Sequence, residues 1–312
     1  MVISRFAPSP TGRLHLGHAF SAVRAHDLAR AEGGHFLLRI EDIDPGRSRE
    51  AHVAGIEEDL RWLGLDWDGP VVRQSQRLDL YAEALERLKA RGLVYPCFCT
   101  RAEIAESAAA PHGATPVYPG SCRGLPLDAE RLARQPHCWR LDMGRAMASL
   151  PSVTPDWIRG PAASPASEEK EEAGSRLKAG MTGEVGLWWQ DEFVGRVRAV
   201  PELQGDVVLA RKDAPTSYHL AVTVDDAAQG VTDVVRGADL FEATHVHRLL
   251  QALLELPTPF YHHHALLTGP DGRRLAKRDG AKSLTELRAE GADPQALLVM
   301  LRRKDDEAPA KA

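Results

Sequence analysis

The sequence is poor in the features that mark several large classes of protein. Four cysteines in 312 residues, Cys97, Cys99, Cys122 and Cys138, are too few for a disulfide framework, and they fall within one stretch. No uninterrupted apolar run approaches the ~18 residues that span a bilayer, and the N-terminus meets Arg5 and Pro8-Ser9-Pro10 instead of a signal-peptide core. Positive charge is not in excess either: 39 Lys and Arg stand against 44 Asp and Glu, a formal net charge of -5. A broadly basic nucleic-acid coat is thereby excluded, so any RNA contact has to use a local patch. No internal repeat is visible. What the chain does have is 43% hydrophobic and 27% charged residues, enough for a sizeable core in one large domain or two modest ones. A cytoplasmic protein without membrane contact is the expectation.

The first hundred residues read as a βαβ unit. Val2 to Ala7 is a short β-prone run closed by the turn Pro8-Ser9-Pro10-Thr11-Gly12, and His15 to Leu28 has helical spacing. His35 to Ile40 is a second buried-strand candidate, followed by the acidic turn Glu41-Asp42-Ile43-Asp44-Pro45-Gly46. A parallel sheet follows as the leading expectation. Residues 50–64 and 78–91 carry apolar positions three and four apart and read as amphipathic helices.

From about 96 to 190 cysteines, prolines and glycines dominate, and 160–180 is polar, rich in small residues and without a period, which predicts a flexible surface loop. Regular texture returns at 205–210 and at Ser217 to Val224, an apolar run read as a strand leading into Asp225-Asp226. A helix over His245 to Leu256, a short apolar stretch, a loop over Gly269 to Gly280 and a last helix from about Ser283 complete the pattern. Tyr261-His262-His263-His264 reads as structural, because consecutive histidines on a strand face opposite ways.

Two segments point to nucleotide chemistry. Pro8 to His18 (PSPTGRLHLGH) joins a strand to a helix start, where unpaired N–H groups and a partial positive charge favour phosphate. His15 and His18, one turn apart, add donors, and Gly17 admits a flat ring close to the backbone. Far downstream, Gly272 to Gly280 holds four basic residues in a loop, which suits a leaving pyrophosphate; a Pro/Gly turn with two exposed histidines and a solvated basic loop are the alternatives on each segment alone. Cys97-Phe98-Cys99 with Cys122 offers soft ligands for zinc, and buried free thiols are the alternative on spacing alone.

Taken together, PSPTGRLHLGH and RRLAKR resemble the paired signatures of the class I aminoacyl-tRNA synthetases: a His-x-Gly-His motif, and a KMSKS loop with Arg274 for its first Lys, Ala276 for its Ser and Lys277 for its second Lys. Arg5 to Gly12, Leu38 to Asp44, Ser217 to Asp226 and Val235 to Leu240 resemble the glutamyl branch of that class. The resemblance covers almost the whole chain except 144–182. It implies an α/β fold, a Rossmann-like parallel sheet carrying a zinc-bearing insertion, with no anticodon-binding domain. The implied division is residues 1–95 and 191–303 as the two halves of the catalytic domain, 96–190 as the insertion, and 304–312 as a disordered tail.

The resemblance also implies the site residues. Arg5, Ala7, Ser9, Glu41, Tyr218 and Arg236 would receive L-glutamate, with Arg5 and Arg236 on its carboxylates in either order and Glu41 on its ammonium. Pro10, Thr11, Gly12, His15, Gly17, His18, Arg274 and Lys277 would receive ATP with Mg²⁺, and His15, His18 and Lys277 would act on the reacting phosphates. Cys97, Cys99, Tyr118 and Cys122 would hold one structural Zn²⁺, with His112, His137 and Cys138 as alternative fourth ligands.

Fewer residues follow Lys277 than the ~40 below which a chain rarely folds alone. The expectation is therefore a catalytic-core paralogue of the branch, acting on the queuosine base in the anticodon of tRNA(Asp). Its RNA contacts would come from insertion arginines and from Arg302-Arg303, and it would be a monomer. Charging of tRNA(Glu) by a truncated enzyme, and a catalytically silent binding module, are the alternatives.

Overall fold

In the computed structural model the described residues are 1–100, 102–104, 117–150, 186–268 and 282–306, the side chains of 304–306 excepted. The expected 160–180 loop, His112, Arg274 and Lys277 lie outside them.

Ile3–Phe6 forms β1, Leu16–Ala31 forms α1 and His35–Ile40 forms β2, and β1 and β2 pair in parallel from Ile3 opposite His35 to Phe6 opposite Leu38. The right-handed crossover rule makes α1 the natural cover of this pair. Its Ala19, Phe20, Ala22, Val23, Ala25 and Ala29 are buried, packed in one core with Phe6, Phe36, Leu38 and Ile40. Helix α2 (Glu50–Trp62), the short strand β3 (Val72–Arg73) and α3 (Leu78–Ala90) follow, the two helices within two residues of their expected limits.

Strand β4 (Val94–Cys97) leaves this sheet. It pairs antiparallel with β5 (Cys138–Leu141), whose register sets Cys97 opposite Cys138, and α4 (Ala129–Arg134) and α5 (Met143–Ala148) flank β5 in the chain. Strands β6 (Trp188–Asp191) and β7 (Gly195–Arg198) form a hairpin on the edge of the large sheet. Strand β8 (Val208–Ala210) then returns to the small sheet beside β5. The small sheet therefore draws on residues well past 190, and 205–210 does not join the large sheet.

Ser217 to Val224 is not a strand. Tyr218–Ala228 is helix α6, in which Leu220, Ala221, Val222, Thr223, Asp225 and Asp226 are all buried. A helix covered on every side loses the polar face that reveals its period, and its run of Ala, Val and Thr then reads like a buried strand. After it come β9 (Asp233–Gly237), α7 (Phe241–Leu254), β10 (Phe260–His264), α8 (Leu284–Ala289) and α9 (Pro294–Asp306). Ser283 caps α8 through a reciprocal pairing with Glu286, as a Ser-x-x-Glu box should. Helix α9 includes residues 304–306, which the sequence reading placed in the tail; 307–312 are outside the described residues.

The large sheet runs β3-β2-β1-β9-β10-β6-β7, parallel except for the β6–β7 hairpin. Chain order reverses between β1 and β9. In an open α/β sheet the crevice beyond the carboxyl ends of the strands at such a reversal is where ligands bind.

Candidate active site

A cavity of about 550 Å³ opens at that reversal. Residues from the ends of β1, β2 and β9 line it, together with the loop after β1 and the start of α6. All six residues expected to receive an amino acid, Arg5, Ala7, Ser9, Glu41, Tyr218 and Arg236, are among them. Of those expected to meet a nucleotide, Thr11, Gly12, His15, Gly17 and His18 line it too. Pro10 does not; it is buried, and its carbonyl accepts the N–H of Arg49.

His15 is the N-cap of α1. Its Nδ1 accepts from the N–H of Gly17 at 3.1 Å, while the Nδ1 of His18 accepts from the N–H of His15 at 3.2 Å. Both rings therefore carry their proton on Nε2 when neutral, and their centroids lie 3.9 Å apart beside the helix N-terminus. Leu266 and Leu267, before residues 269–281, line the cavity, and Ser283, after them, bridges to His15.

The two arginines sit in different electrical surroundings. Arg5 grips Asp226 with Nε at 2.9 Å and Nη2 at 3.4 Å, and Arg39 Nη1 reaches the same carboxylate at 2.8 Å. Arg39 is fully buried and also meets Glu41 at 3.4 Å and Gln229 at 2.9 Å. Asp225 takes Gln74, Arg77 and Tyr81 at 2.7–2.8 Å. Burial alone would raise Asp226, but Arg5 and Arg39 outweigh it and hold the carboxyl below its ordinary range. Glu41, 9% exposed, goes the other way: desolvation raises it against the pull of Arg39 and Arg5.

Arg236 is 5% exposed and is held by neutral groups: His263 Nε2 at 3.1 Å, Thr244 Oγ1 at 2.6 Å, His247 Nδ1 at 3.3 Å and the Tyr218 hydroxyl at 3.4 Å. Among the described residues no carboxylate pairs with it directly. Burial pushes the His247 and His263 imidazoles down and the Tyr218 phenol up, so all three stay neutral. A buried guanidinium without a counter-ion is costly to the protein alone and is a strong point of attachment for an anion.

Sequence reasoning passed over several of these groups. Arg39 stood in an apolar strand run where a charge demands partners, and Asp226 stood at the end of the apolar run read as a strand; both were visible as anomalies. His263 read as structural, and nothing local in the sequence ties it to Arg236. Gly237, Asp239, Leu240, Ser21 and His264 also line the cavity. A Cβ on Gly237 would come within 2.7 Å of the ends of the Asp239 and Leu266 side chains, which would have to shift to admit it.

The cysteine site lies in the small sheet. The thiols of Cys97, Cys99 and Cys122 fall within 4.8 Å of one another, and the Tyr118 hydroxyl is 3.3 Å from Cys97 Sγ and 3.6 Å from Cys99 Sγ. Three thiols and a phenol converging from the end of β4, the residues just after it and the segment of Tyr118 and Cys122 fit a closed tetrahedral zinc centre. Hydrogen bonds from Cys138, Tyr118 and Arg140 bring the Cys97 thiol down to about 4, whereas burial pushes Cys99 up to about 11. His137 is bonded to the Gln135 carbonyl instead. Among the arginines considered for RNA, Arg302 is engaged with Asp27 at 2.7 and 2.9 Å.

The catalytic-domain model of the class I tRNA synthetases for E and Q matches residues 1–160 and 162–306. The chain belongs to this class I synthetase family. It is accordingly an ATP-dependent ligase of the class I aminoacyl-tRNA synthetase type. A glutamyl-Q tRNA(Asp) synthetase of Rhodobacter capsulatus is 50% identical over 301 residues, covering 94% of this chain and 97% of that protein. One from Symbiobacterium thermophilum is 42% identical over 96% of this chain and 84% of its own length. The crystal structure of a glutamate-tRNA synthetase from Elizabethkingia anophelis superposes with a TM-score of 0.67 at 27% identity, over 89% of this chain. The chain spans 53% of that larger synthetase. No described helix is long and apolar enough to cross a membrane.

Proposed function

We propose that the cavity binds L-glutamate and Mg-ATP, forms glutamyl-adenylate, and passes the glutamyl group to the queuosine base in the anticodon of tRNA(Asp). The observation that carries this reading is the buried charge of Arg236, which no carboxylate pairs among the described residues, in a cavity that the carboxyl of Glu41 also lines. The first suits a substrate carboxylate and the second its ammonium. Similarity to the glutamyl-Q tRNA(Asp) synthetases of two organisms supports the choice of RNA.

In this reading the α-carboxylate of glutamate attacks the α-phosphorus of ATP, the new C–O–P bond forms, and pyrophosphate leaves with the electron pair. No side chain acts as a nucleophile, so the enzyme contributes position and charge. The N-terminus of α1 and the Nε2–H groups of His15 and His18 meet the phosphates, and Arg274 and Lys277 act on the departing pyrophosphate. Mg²⁺ accompanies ATP on its phosphate oxygens. In the second step a hydroxyl of queuosine attacks the adenylate carbonyl and AMP departs. Cys97, Cys99, Cys122 and Tyr118 would hold zinc, which would fasten the loop carrying Tyr118 and Cys122 to β4 and take no part in the reaction.

Transfer of labelled glutamate to tRNA(Asp) with and without queuosine, beside tRNA(Glu), tests the reading. Labelling only of queuosine-containing tRNA(Asp) is expected. Labelling of tRNA(Glu) alone would replace it with ordinary charging, and absence of glutamate-dependent pyrophosphate exchange would leave a binding module.

A further inference from the structure

One neutral partner of Arg236, His263, is itself held by a carboxylate. Asp191, fully buried, ends β6 and lies opposite Tyr261 in the parallel pairing with β10. Its Oδ1 accepts the N–H groups of Phe193 and Val194 at 3.0 and 3.1 Å, which closes the turn of the β6–β7 hairpin. Its Oδ2 lies 2.7 Å from Nδ1 of His263. A carboxylate there fixes the proton on Nδ1 and leaves Nε2 as a lone pair, and that lone pair meets Arg236 Nε at 3.1 Å.

A count of donors shows what this leaves. Of the five guanidinium N–H groups, His263 takes the one on Nε, Thr244 one on Nη2, and His247 and Tyr218 the two on Nη1. One Nη2–H remains. Tyr218 accepts from Arg236 and so keeps its own O–H to give, and both residues line the cavity.

We infer that Asp191 and His263 are a positioning pair for substrate recognition: they fix the plane of the Arg236 guanidinium so that its remaining Nη2–H and the Tyr218 hydroxyl converge on one carboxylate of glutamate. The inference rests on the glutamate reading of the cavity. Passing the hold through an imidazole separates orientation from neutralisation. A carboxylate placed directly on Arg236 would orient it equally well but would satisfy the charge that the substrate is to meet. A neutral lone pair orients the fork and leaves its charge unspent. Loss of the Asp191 acceptor would release the tautomer, and a proton on Nε2 would then oppose the Nε–H of Arg236.

Glutamate-dependent pyrophosphate exchange by the full chain tests this with variants that separate acceptor from ring. His263→Phe keeps aromatic contact with Trp189 and Phe241, whose ring centroids lie 5.6 and 5.1 Å away, and removes the lone pair. His263→Gln removes the ring and keeps an acceptor within reach of Arg236 Nε. The KM for glutamate should rise about 10-fold or more in His263→Phe, with the KM for ATP and kcat changed little, and His263→Gln should recover most of the loss. Asp191→Asn should raise the same KM and supplies the test if His263→Phe does not fold. Equal glutamate KM values in the Phe and Gln variants, or parallel rises for glutamate and ATP, would overturn the inference. Failure of the glutamate reading itself would show differently, as no exchange by the unsubstituted chain.

Discussion

The two sides of the cavity handle buried positive charge in opposite ways. On the side of β1 and β2, Arg5, Arg39 and Arg77 face Asp225, Asp226 and Glu41 in one connected network, and the protein neutralises itself. On the side of β9, Arg236 has neutral acceptors alone among the described residues, and a carboxylate, Asp191, stands behind His263. The first arrangement holds four segments of chain together, β1, β2, the start of α3 and α6, and leaves little charge over for a ligand. The second leaves charge unspent. Burial is similar on the two sides, so burial alone does not mark a binding residue; what distinguishes Arg236 is the identity of the atoms around it.

Arg236→Met puts this contrast to the hardest test. Removing a buried charge that the substrate is meant to pair should cut glutamate-dependent pyrophosphate exchange roughly 100-fold or more, mainly through the glutamate KM. The unfolding midpoint should move little, since Thr244 lies 3.2 Å from His263 Nε2 and can supply its lost partner. A large loss of stability with substrate affinity intact would break the comparison.

Arg39→Met probes the other side. It leaves carboxylates buried with fewer partners, and the expected cost is about 3–5 kcal/mol in urea denaturation. Combining it with Asp226→Leu should cost less than the two single changes added together, because the second removes a charge the first exposed. Additive losses would show that the network is a set of independent contacts.

Metal removal should have a smaller and more local effect. A chelator, or Cys122→Ser, should raise amide exchange in β4, β5 and the segment around Tyr118, while amides of β1, β9 and β10 stay protected. Pyrophosphate exchange without RNA should persist. Unchanged exchange in the small sheet would favour buried thiols without metal.

The sequence made the parallel βαβ entry legible because its strands, its turn and α1 each carry their own local signal. The residues of the cavity were legible only through the family motifs, and those motifs list the atoms that face a ligand. They say nothing of the atoms behind. Asp191 meets His263, and Arg39 meets Asp226, across separations that no spacing rule reaches. Helix α6 was misread for a related reason: its period is erased by burial on all sides, and the two aspartates that close it face Arg5, Arg39 and Arg77.

Glu41 supplies the finest test, because it belongs to the self-neutralised side yet faces the ligand. Desolvation raises its carboxyl above the ordinary value, so the fold without substrate favours protonation more than the unfolded chain does. Stability from this group is therefore fully present below the unfolded-state value and is lost as pH rises through the raised one. Glu41→Gln should make the substrate-free protein slightly more stable at neutral pH. Glutamate reverses the preference: its ammonium favours the carboxylate, so affinity in the unsubstituted protein should fall as pH drops through the raised value. Calorimetric titrations across that window should show proton release on binding, and Glu41→Gln should abolish it together with most of the affinity. A pH-independent affinity, with Glu41 essential nonetheless, would mean that the carboxyl is already ionised before glutamate arrives and that Arg39 and Arg5 outweigh its burial.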